Sequence, residues 1–320
     1  MTHIGIIGYG SQAKAFAHNL RDSGLEISIL LRSTSKNISL AKTDLFNVIP
    51  YDSELLHINF QFLIVLTPDD THGKIISELS KKNQGQNICF LFAHGYSFLK
   101  ENLKEKFPHH SFGLLAPKAI ASELRGRYSL KEKLVGVIDS SHCYDKKDEL
   151  FQLATLLGLT QLIESTFKDE AQADLFSEQT LLCSLLPYGA LKSYEFLIAK
   201  GIDPNLAFVE CWMEVKLIAD AMLSHGPVGY LNLISENAFA GGEKAQQLIF
   251  DDSYQKKMDS LWNDIEKGSF FSEIDAMNMT ALKEQVLEKW GQHSIQKSYE
   301  NYMDIENKNE SINHKKNSTT

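Results

Sequence analysis

The chain is poor in cysteine, in basic charge and in long apolar runs, and each shortage excludes a class of protein. Four cysteines occur in 320 residues without a C-x-x-C pair, so we expect reduced, mostly buried thiols and no zinc site built on them. Lys and Arg number 32 against 41 Asp and Glu, which argues against a general nucleic-acid-binding protein. No apolar run approaches the ~20 residues of a membrane span, and "MTHIGIIGYG" lacks the features of a signal peptide. We therefore expect a cytoplasmic protein without a nucleic-acid or membrane partner.

The first half of the chain alternates short apolar runs with helical segments. The runs that read as strands are "HIGIIGY", "LEISILL", "FNVIPY", "FQFLIVLT", "NICFLFAH", "SFGLLAP" and "KLVGVID". Most lack strict alternation, which is typical of strands buried on both faces of a parallel sheet. From about residue 165 the pattern changes to long helices. The sequence predicts an α/β protein with a doubly wound Rossmann-type domain over 1–166, an all-helical domain over 167–300, and a disordered polar tail over 301–320.

A glycine motif follows the first predicted strand. The segment from Gly8 to Ala13 fits G-x-G-x-x-A between a strand and a helix. Gly8 permits the tight turn, Gly10 lets a pyrophosphate approach the backbone, and the helix that starts at Ser11 and Gln12 offers free N–H groups to phosphates. The motif predicts dinucleotide binding, with a glycine turn that holds no ligand as the alternative.

The second predicted strand ends in "LLRSTSK". An NAD-binding domain usually has an acidic residue here, which holds the ribose 2′-hydroxyl. This chain instead has Arg32, Ser33, Ser35 and Lys36, and cations with hydroxyls suit a 2′-phosphate. These residues favour NADP over NAD, unless Arg32 and Lys36 are only solvated loop charges.

Two pairs of carboxylates stand out in the helical half. Asp174 and Glu178 are four residues apart inside the apolar stretch "DLFSEQTLLC", and Glu210 and Glu214 repeat that spacing inside "FVECWMEVKLI". On a helix this spacing places both carboxylates on one face, and two such helices can bring four oxygen ligands together. Hard divalent cations such as Mg²⁺ would remove the cost of so much buried negative charge, and the absence of His argues against zinc. The alternative is a pair of solvated helix faces.

Several segments together resemble one enzyme family, from about residue 4 to about residue 245. Their order and approximate spacing are those of ketol-acid reductoisomerase, the acetohydroxy acid isomeroreductase of branched-chain amino acid synthesis, and the length resembles the short bacterial form. The segments are "GYGSQAKAFAHNLRDSG", "LTPDD", "FAHGYSF", "LLAPK", "TFKDEAQADLFSEQTLLC", "ECWMEVKLIAD" and "ISENAFAGG". The resemblance implies a knotted helical domain and a homodimer or larger homo-oligomer. It also implies that the two acid-bearing helices of one site come from different subunits.

The resemblance implies a metal role for each of the four acids. Asp174 would bridge two Mg²⁺ ions. Glu178 would bind one ion and take part in proton transfer, and Glu210 and Glu214 would complete the site at the second ion.

Three further residues match the polar residues of the family's active site. Ser235 would hold the substrate carboxylate, and Lys118 and His94 would line the cleft as catalytic residues. The implied substrate is an acetohydroxy acid such as 2-acetolactate, whose oxygens two Mg²⁺ ions would polarise. Loss of the hydroxyl proton would drive alkyl migration, and NADPH would then reduce the new 2-oxo acid to a 2,3-dihydroxy acid.

The chain departs from the family at three places. After Lys118 the family usually has Gly-Pro-Gly-His, where this chain has residues 119–122, "AIAS". Ala13 and Lys14 replace the usual Gly and His, and Phe239 stands where an acid is usual. These changes leave open a divergent 2-oxo acid reductase that acts on a related substrate, or a non-catalytic NADP-binding homologue.

Other polar residues are predicted to be structural. The triplet Lys168–Glu170 reads as an exposed helix start. Histidines without ligand spacing, among them His72 and His110, read as surface or loop residues.

Overall fold

The structure is a computed structural model that describes residues 3–53, 59–83 and 86–304. They divide between two compact units, Met1–Ala173 and Asp174–Thr320.

A mixed eight-stranded sheet forms the centre of the N-terminal unit. Its order is β3-β2-β1-β4-β5-β6-β7-β8. The first six strands are parallel, β7 runs antiparallel to β6, and β8 is parallel to β7. The strands are β1 His3–Ile7, β2 Glu26–Leu31, β3 Asn47–Pro50, β4 Phe62–Val65, β5 Cys89–Phe92, β6 Ser111–Pro117, β7 Val135–His142 and β8 Gln161–Glu164. The order of the first six strands is that of the Rossmann fold, so the predicted fold class is confirmed. The expectation of a parallel sheet is wrong for β7, and β8 was not predicted.

Helices cover the sheet of this unit. They are α1 Ser11–Asp22, α2 Ile38–Thr43, α3 His72–Lys82, α4 Tyr96–Lys100, α5 Leu103–Lys106, α6 Ala121–Leu130 and α7 Lys147–Leu157, with short 3₁₀ turns at Asp69–Thr71 and Tyr144–Lys146. Strands β4, β5 and β6 are buried along their whole length. Two large apolar clusters pack on the sheet, so this unit has a complete core of its own.

Helices alone form the rest of the described chain. They are α8 Phe167–Ser177, α9 Leu185–Ala199, α10 Pro204–Phe208, α11 Glu214–Leu233, α12 Glu236–Ile249, α13 Asp252–Lys267, α14 Ser269–Ala276 and α15 Met279–Gly291, and a further helix starts at residue 294. Asp203 begins α10 as an N-cap, because its carboxylate accepts from the amides of Asn205 and Leu206. Gly226, with a φ of 70°, interrupts α11 just before Pro227. Residues 301–304 of the predicted disordered tail are helical, and 305–320 lie outside the described residues.

Both acid-bearing segments contain a π-helical turn. One spans Glu178–Leu182 and the other Val209–Met213. A π turn adds one residue to a helical turn and is frequent at functional sites. In this chain, Glu178 opens the first turn, Glu210 lies in the second, and Glu214 follows it directly. The acids therefore do not follow the regular α-helical spacing from which they were predicted.

The C-terminal unit has only a small core. Its buried cluster consists of Leu191, Tyr194, Ala207, Phe208 and Ile295. None of the described side chains of α11, α12, α14 and α15 is buried. Among the helices of the described residues, none has the length and apolar character of a membrane-spanning segment.

Candidate active site

The glycine motif forms the turn between β1 and α1. Gly8 has a φ of 103°, and a Cβ there would lie 2.5 Å from the carbonyl oxygen of Leu66, so only glycine fits. A Cβ at Gly10 would have no atom within 4 Å. Gly10 is also the N-cap of α1, and no side chain caps the helix there. The amides of the first turn are therefore positioned for a phosphate.

A cleft of about 560 Å³ lies at the carboxyl ends of β1, β2 and β4. Four of the predicted cofactor residues line it, namely Gly8, Gly10, Arg32 and Ser35. Thr34, Asn37, Tyr51 and the Leu66–Pro68 segment also line it. Ser11 and Gln12 form the start of α1, and Ser33 is not among the lining residues. An open cleft at this end of a doubly wound sheet is where dinucleotides bind.

Asp44 holds the glycine turn in place. The hydroxyl of Tyr9 donates to Asp44 at 2.7 Å, and the Lys14 ammonium lies 2.9 Å from the same carboxylate oxygen. The hydrogen bonds from Lys14 and Tyr9 lower the pKa of Asp44. On the other side, the Asn37 amide donates to the carbonyl of Tyr9 at 3.1 Å. The lysine that departs from the family's pattern therefore has a structural partner in this chain.

A buried carboxylate brings two of the predicted catalytic residues together. Glu170, on α8, is only 4% exposed. It accepts from Lys118 Nζ at 2.6 Å and from the backbone amide of Gly95 at 2.8 Å. His94 Nδ1 lies 3.1 Å from the second oxygen. Burial would raise the pKa of Glu170, but the hydrogen bonds and charges of His94 and Lys118 outweigh it and lower that pKa.

Close backbone packing and a second carboxylate fix the start of α8. A Cβ on Gly95 would lie 2.3 Å from the carbonyl oxygen of Phe167, so the loop after β5 can approach the helix only with glycine. Asp139, at 5% exposure on β7, accepts from the amide of Phe167 at 2.9 Å. The loops that follow β5 and β6, together with strand β7 itself, are thus tied to the first turn of α8.

The predicted metal ligands lie in the C-terminal unit. Asp174 is half-buried, while Glu178, Glu210 and Glu214 are exposed. Among the described residues, no three of these four acids bring their carboxylate oxygens within 4.8 Å of one another. The expectation that their apolar surroundings bury them is wrong for a single chain. Their convergence on one site stays a prediction that requires a second chain.

Ser235 caps the helix that follows α11. Its hydroxyl oxygen accepts from the amide of Ala238 at 3.2 Å, and the residue is exposed. An N-cap serine uses its oxygen as an acceptor, so the hydroxyl proton is available for donation.

Sequence reasoning missed several buried polar groups. The most important of these is Glu170, which is buried although the triplet that contains it was predicted to be exposed. His72 and His110 are each 4% exposed rather than on the surface. Cys183 is exposed and Cys211 half-buried, which corrects the expectation of mostly buried thiols. The only available signal for Glu170 was its position one turn before Asp174 in a segment of the family's pattern.

The fold and the cleft define a dinucleotide-binding protein with a helical second unit. The family model "Acetohydroxy acid isomeroreductase, NADPH-binding domain" matches residues 1–157. The model "Ketol-acid reductoisomerase, C-terminal domain" matches residues 167–305. The chain belongs to the ketol-acid reductoisomerase family and is an NADP-dependent oxidoreductase.

Named relatives and a solved structure agree with this assignment. A ketol-acid reductoisomerase (NADP(+)) of Xanthomonas campestris pv. campestris is 31% identical over 295 residues, which cover 89% of this chain and 88% of the relative. One from Xylella fastidiosa is 32% identical over 271 residues, or 83% and 77% of the two chains. The structure of an NADH-preferring ketol-acid reductoisomerase from an uncultured archean superposes with a TM-score of 0.83 at 24% identity, and covers 95% of this chain and 94% of that one. At that identity the likeness concerns the fold.

Proposed function

We propose that this chain is an NADPH- and Mg²⁺-dependent ketol-acid reductoisomerase. It converts 2-acetolactate-type acetohydroxy acids into 2,3-dihydroxy acids, in the synthesis of isoleucine and valine. The observation that carries the proposal is the buried Glu170 carboxylate, which holds both His94 and Lys118. Burying an acid with its cationic partners costs free energy, and such groups cluster at functional sites. Glu170 also lies one turn before the proposed metal ligand Asp174 on the same helix.

The cleft residues fit a phosphorylated dinucleotide. The open space at Gly10 and the uncapped start of α1 suit the pyrophosphate. Arg32 lines the cleft with hydroxyl residues beside it, which suits the 2′-phosphate. NADPH, when bound, supplies the hydride. The chain's own part is to orient the cofactor and to hold its phosphates.

The four acids fit Mg²⁺ better than softer metals. Asp174, Glu178, Glu210 and Glu214 offer only oxygen ligands, the set that Mg²⁺ prefers. When bound, two Mg²⁺ ions supply Lewis acids that polarise the substrate's oxygens. Asp174 and Glu178 would both hold the ions, and Glu178 would also accept and return a proton.

Glu170 orients the side chains of His94 and Lys118, and the polar residues of the site donate protons to the substrate. An ionised carboxylate only accepts, so the His94 Nδ1 carries a proton toward Glu170 and the ring is held in one orientation. The Lys118 ammonium is held by the same group and donates to a substrate oxygen. Ser235 donates its hydroxyl proton to the substrate carboxylate.

The working form is an assembly of at least two chains. Large apolar side chains are exposed along the helical unit, among them Leu217, Met222, Leu223, Val228 and Leu248. Exposed apolar area on this scale marks an interaction surface, and the two acid pairs need a second chain to meet. A second copy of this chain satisfies both requirements.

The domains divide the work between them. We assign cofactor binding to residues 1–166 and metal and substrate binding to 167–300.

All four cysteines are free thiols, which fits a cytoplasmic location.

A two-substrate assay tests the proposal. Purified protein with NADPH and Mg²⁺ receives 2-acetolactate or, separately, its isomerised product 3-hydroxy-3-methyl-2-oxobutanoate. We expect NADPH oxidation with both. Oxidation with the isomerised compound alone would identify a 2-oxo acid reductase. The altered loop after Lys118 favours that outcome, since it carries exposed Ile120 and lacks the histidine of the family's Gly-Pro-Gly-His run. Binding of NADPH without any turnover would contradict both enzymatic functions.

A further inference from the structure

An acidic residue stands beside the loop that would recognise the adenosine ribose. Asp52 follows β3, two residues beyond Pro50. The backbone amide of Ser33 donates to both oxygens of its carboxylate at 3.0 Å. The Ser33 hydroxyl donates to one of them at 2.7 Å. Both polar donors of Ser33 are thus directed to the protein itself.

The neighbouring residues of the loop are arranged differently. Arg32 Nε donates to the hydroxyl of Tyr51 at 2.7 Å, and the Ser35 amide closes a turn onto the carbonyl of Arg32 at 2.9 Å. Arg32, Thr34, Ser35 and Tyr51 line the cleft, whereas Ser33 and Asp52 are not among its lining residues. The loop therefore presents Arg32, Thr34 and Ser35 to the cleft and anchors Ser33 on Asp52.

The charge of Asp52 acts on the same region. The hydrogen bond from the Ser33 side chain lowers the pKa of Asp52 despite some opposing desolvation, so the carboxylate is ionised at neutral pH. A 2′-phosphate carries further negative charge, which NADH lacks. Because Asp52 is partly exposed to solvent, the repulsion is moderate and weakens as salt is added.

We propose that Asp52 is a specificity-determining residue of the nucleotide cleft. It anchors Ser33, so that Arg32, Thr34 and Ser35 bind the 2′-phosphate. Its negative charge reduces the ratio by which NADPH is bound more tightly than NADH. This inference rests on the proposed function, because it takes the cleft as the cofactor site.

Dinucleotide titrations of the full-length protein test this role. Kd is measured for NADPH and for NADH by nucleotide fluorescence, at low and at high ionic strength, in the wild type and in Asp52→Asn. The amide keeps one acceptor oxygen for Ser33, while it removes the charge and the second acceptor. We expect NADPH to bind about 3- to 10-fold more tightly at low ionic strength, with NADH nearly unchanged and the gain smaller in high salt. Glu26→Gln, which removes one charge at the opposite end of β2, should leave the ratio unchanged.

Two further variants examine the anchoring. Ser33→Ala should change the Kd of NADPH by less than about 3-fold, while Arg32→Ala should weaken NADPH by about 10-fold or more and NADH much less. A loss in Ser33→Ala equal to that in Arg32→Ala would overturn the inference. An unchanged Kd ratio in Asp52→Asn, with normal NADPH binding by the wild type, would overturn this inference alone. A wild type that binds neither dinucleotide would overturn the proposed function as well.

Discussion

The two units of this chain differ in how complete each is by itself. The N-terminal unit has a core on its sheet and a formed cleft. It also holds His94 and Lys118 on one carboxylate. The C-terminal unit has a five-residue buried cluster and exposed apolar helices, and in the described part of the chain no three of its four predicted metal ligands bring their carboxylate oxygens within 4.8 Å of one another. The comparison indicates that one chain forms the nucleotide cleft by itself, whereas we expect the proposed metal-dependent chemistry to need an assembly.

The largest expected effect is a loss of metal-dependent turnover in a variant that still binds NADPH. Asp174→Asn should lower Mg²⁺-dependent turnover by about three orders of magnitude, because a neutral amide is a poor bridging ligand for two cations. NADPH binding should stay within about 2-fold, since the cleft lies in the other unit. Turnover is measured with Mg²⁺, and NADPH binding is measured by titration. Mn²⁺ binding, followed by electron paramagnetic resonance, checks the metal site itself. Asp220→Asn on α11 is the matched control, and full turnover in Asp174→Asn would remove the metal assignment.

A charge on the exposed apolar surface should disrupt the assembly. Leu223 is 81% exposed on α11, and Leu223→Asp would place an unpaired carboxylate at the proposed interface. We expect smaller particles in size-exclusion chromatography with light scattering, and activity reduced by about 100-fold.

Leu45→Asp is the control for this prediction. Leu45 is 86% exposed in the N-terminal unit, where its positive φ suits aspartate. It should leave size and activity unchanged. Equal behaviour of the two variants would argue against the helical surface as an interface.

A smaller effect is expected from removing the charge of Glu170, in the N-terminal part of the site. Glu170→Gln keeps an acceptor for the Gly95 amide but removes the charge that fixes Lys118. Loss of a charged hydrogen bond of about 1.5–3 kcal/mol should lower kcat by about 10- to 100-fold. The KM for NADPH should hold, and the pH profile of kcat should shift, because His94 loses its partner.

Glu123→Gln, which breaks an exposed pair with Arg127, is the control. An unaltered pH profile in Glu170→Gln would reduce that residue to a structural role.

The smallest effect concerns acid stability of the N-terminal unit. The amide of Ile88 donates to His110 Nδ1, and His110 Nε2 lies against Ser80 Oγ, so the ring is held neutral. Burial lowers the pKa of His110, with His109 and Lys104 adding to the effect. A lowered histidine pKa stabilises the fold above the unfolded value of about 6.5, and this contribution is lost as the pH falls below it.

Thermal melts of the wild type and of His110→Asn check this prediction. Between about pH 7 and pH 5, we expect Tm to fall by a few degrees more in the wild type than in the variant. Equal slopes would contradict the assignment.

The fold was largely predictable because its signals are local. The glycine motif, the apolar runs of β1 to β6 and the N-cap at Asp203 each depend on a few adjacent residues. The reversal of β7 was not, since nothing in "KLVGVID" distinguishes a parallel from an antiparallel neighbour. Strand β8 is short and mostly exposed, so it lacks the apolar run that marked the others.

The site was predicted in residue type but not in arrangement. Glu170 acquires its role from loops that follow two distant strands, and no periodicity reveals such long-range contacts. The π turns at Glu178 and Glu210 also escaped, because an i, i+4 reading assumes a regular α-helix. Ser33 was assigned to the cofactor from its type, while its donors are directed to Asp52, which lies 19 residues later.

Subunit complementation tests the central claim most directly. Asp174→Asn and Glu210→Gln chains, each inactive alone, are co-expressed with different tags, and mixed dimers are purified. If each site takes one acid pair from each chain, one of the two sites in a mixed dimer has all four acids. We expect about half of the wild-type Mg²⁺-dependent activity with 2-acetolactate. Mixed dimers as inactive as their parents would contradict a shared site.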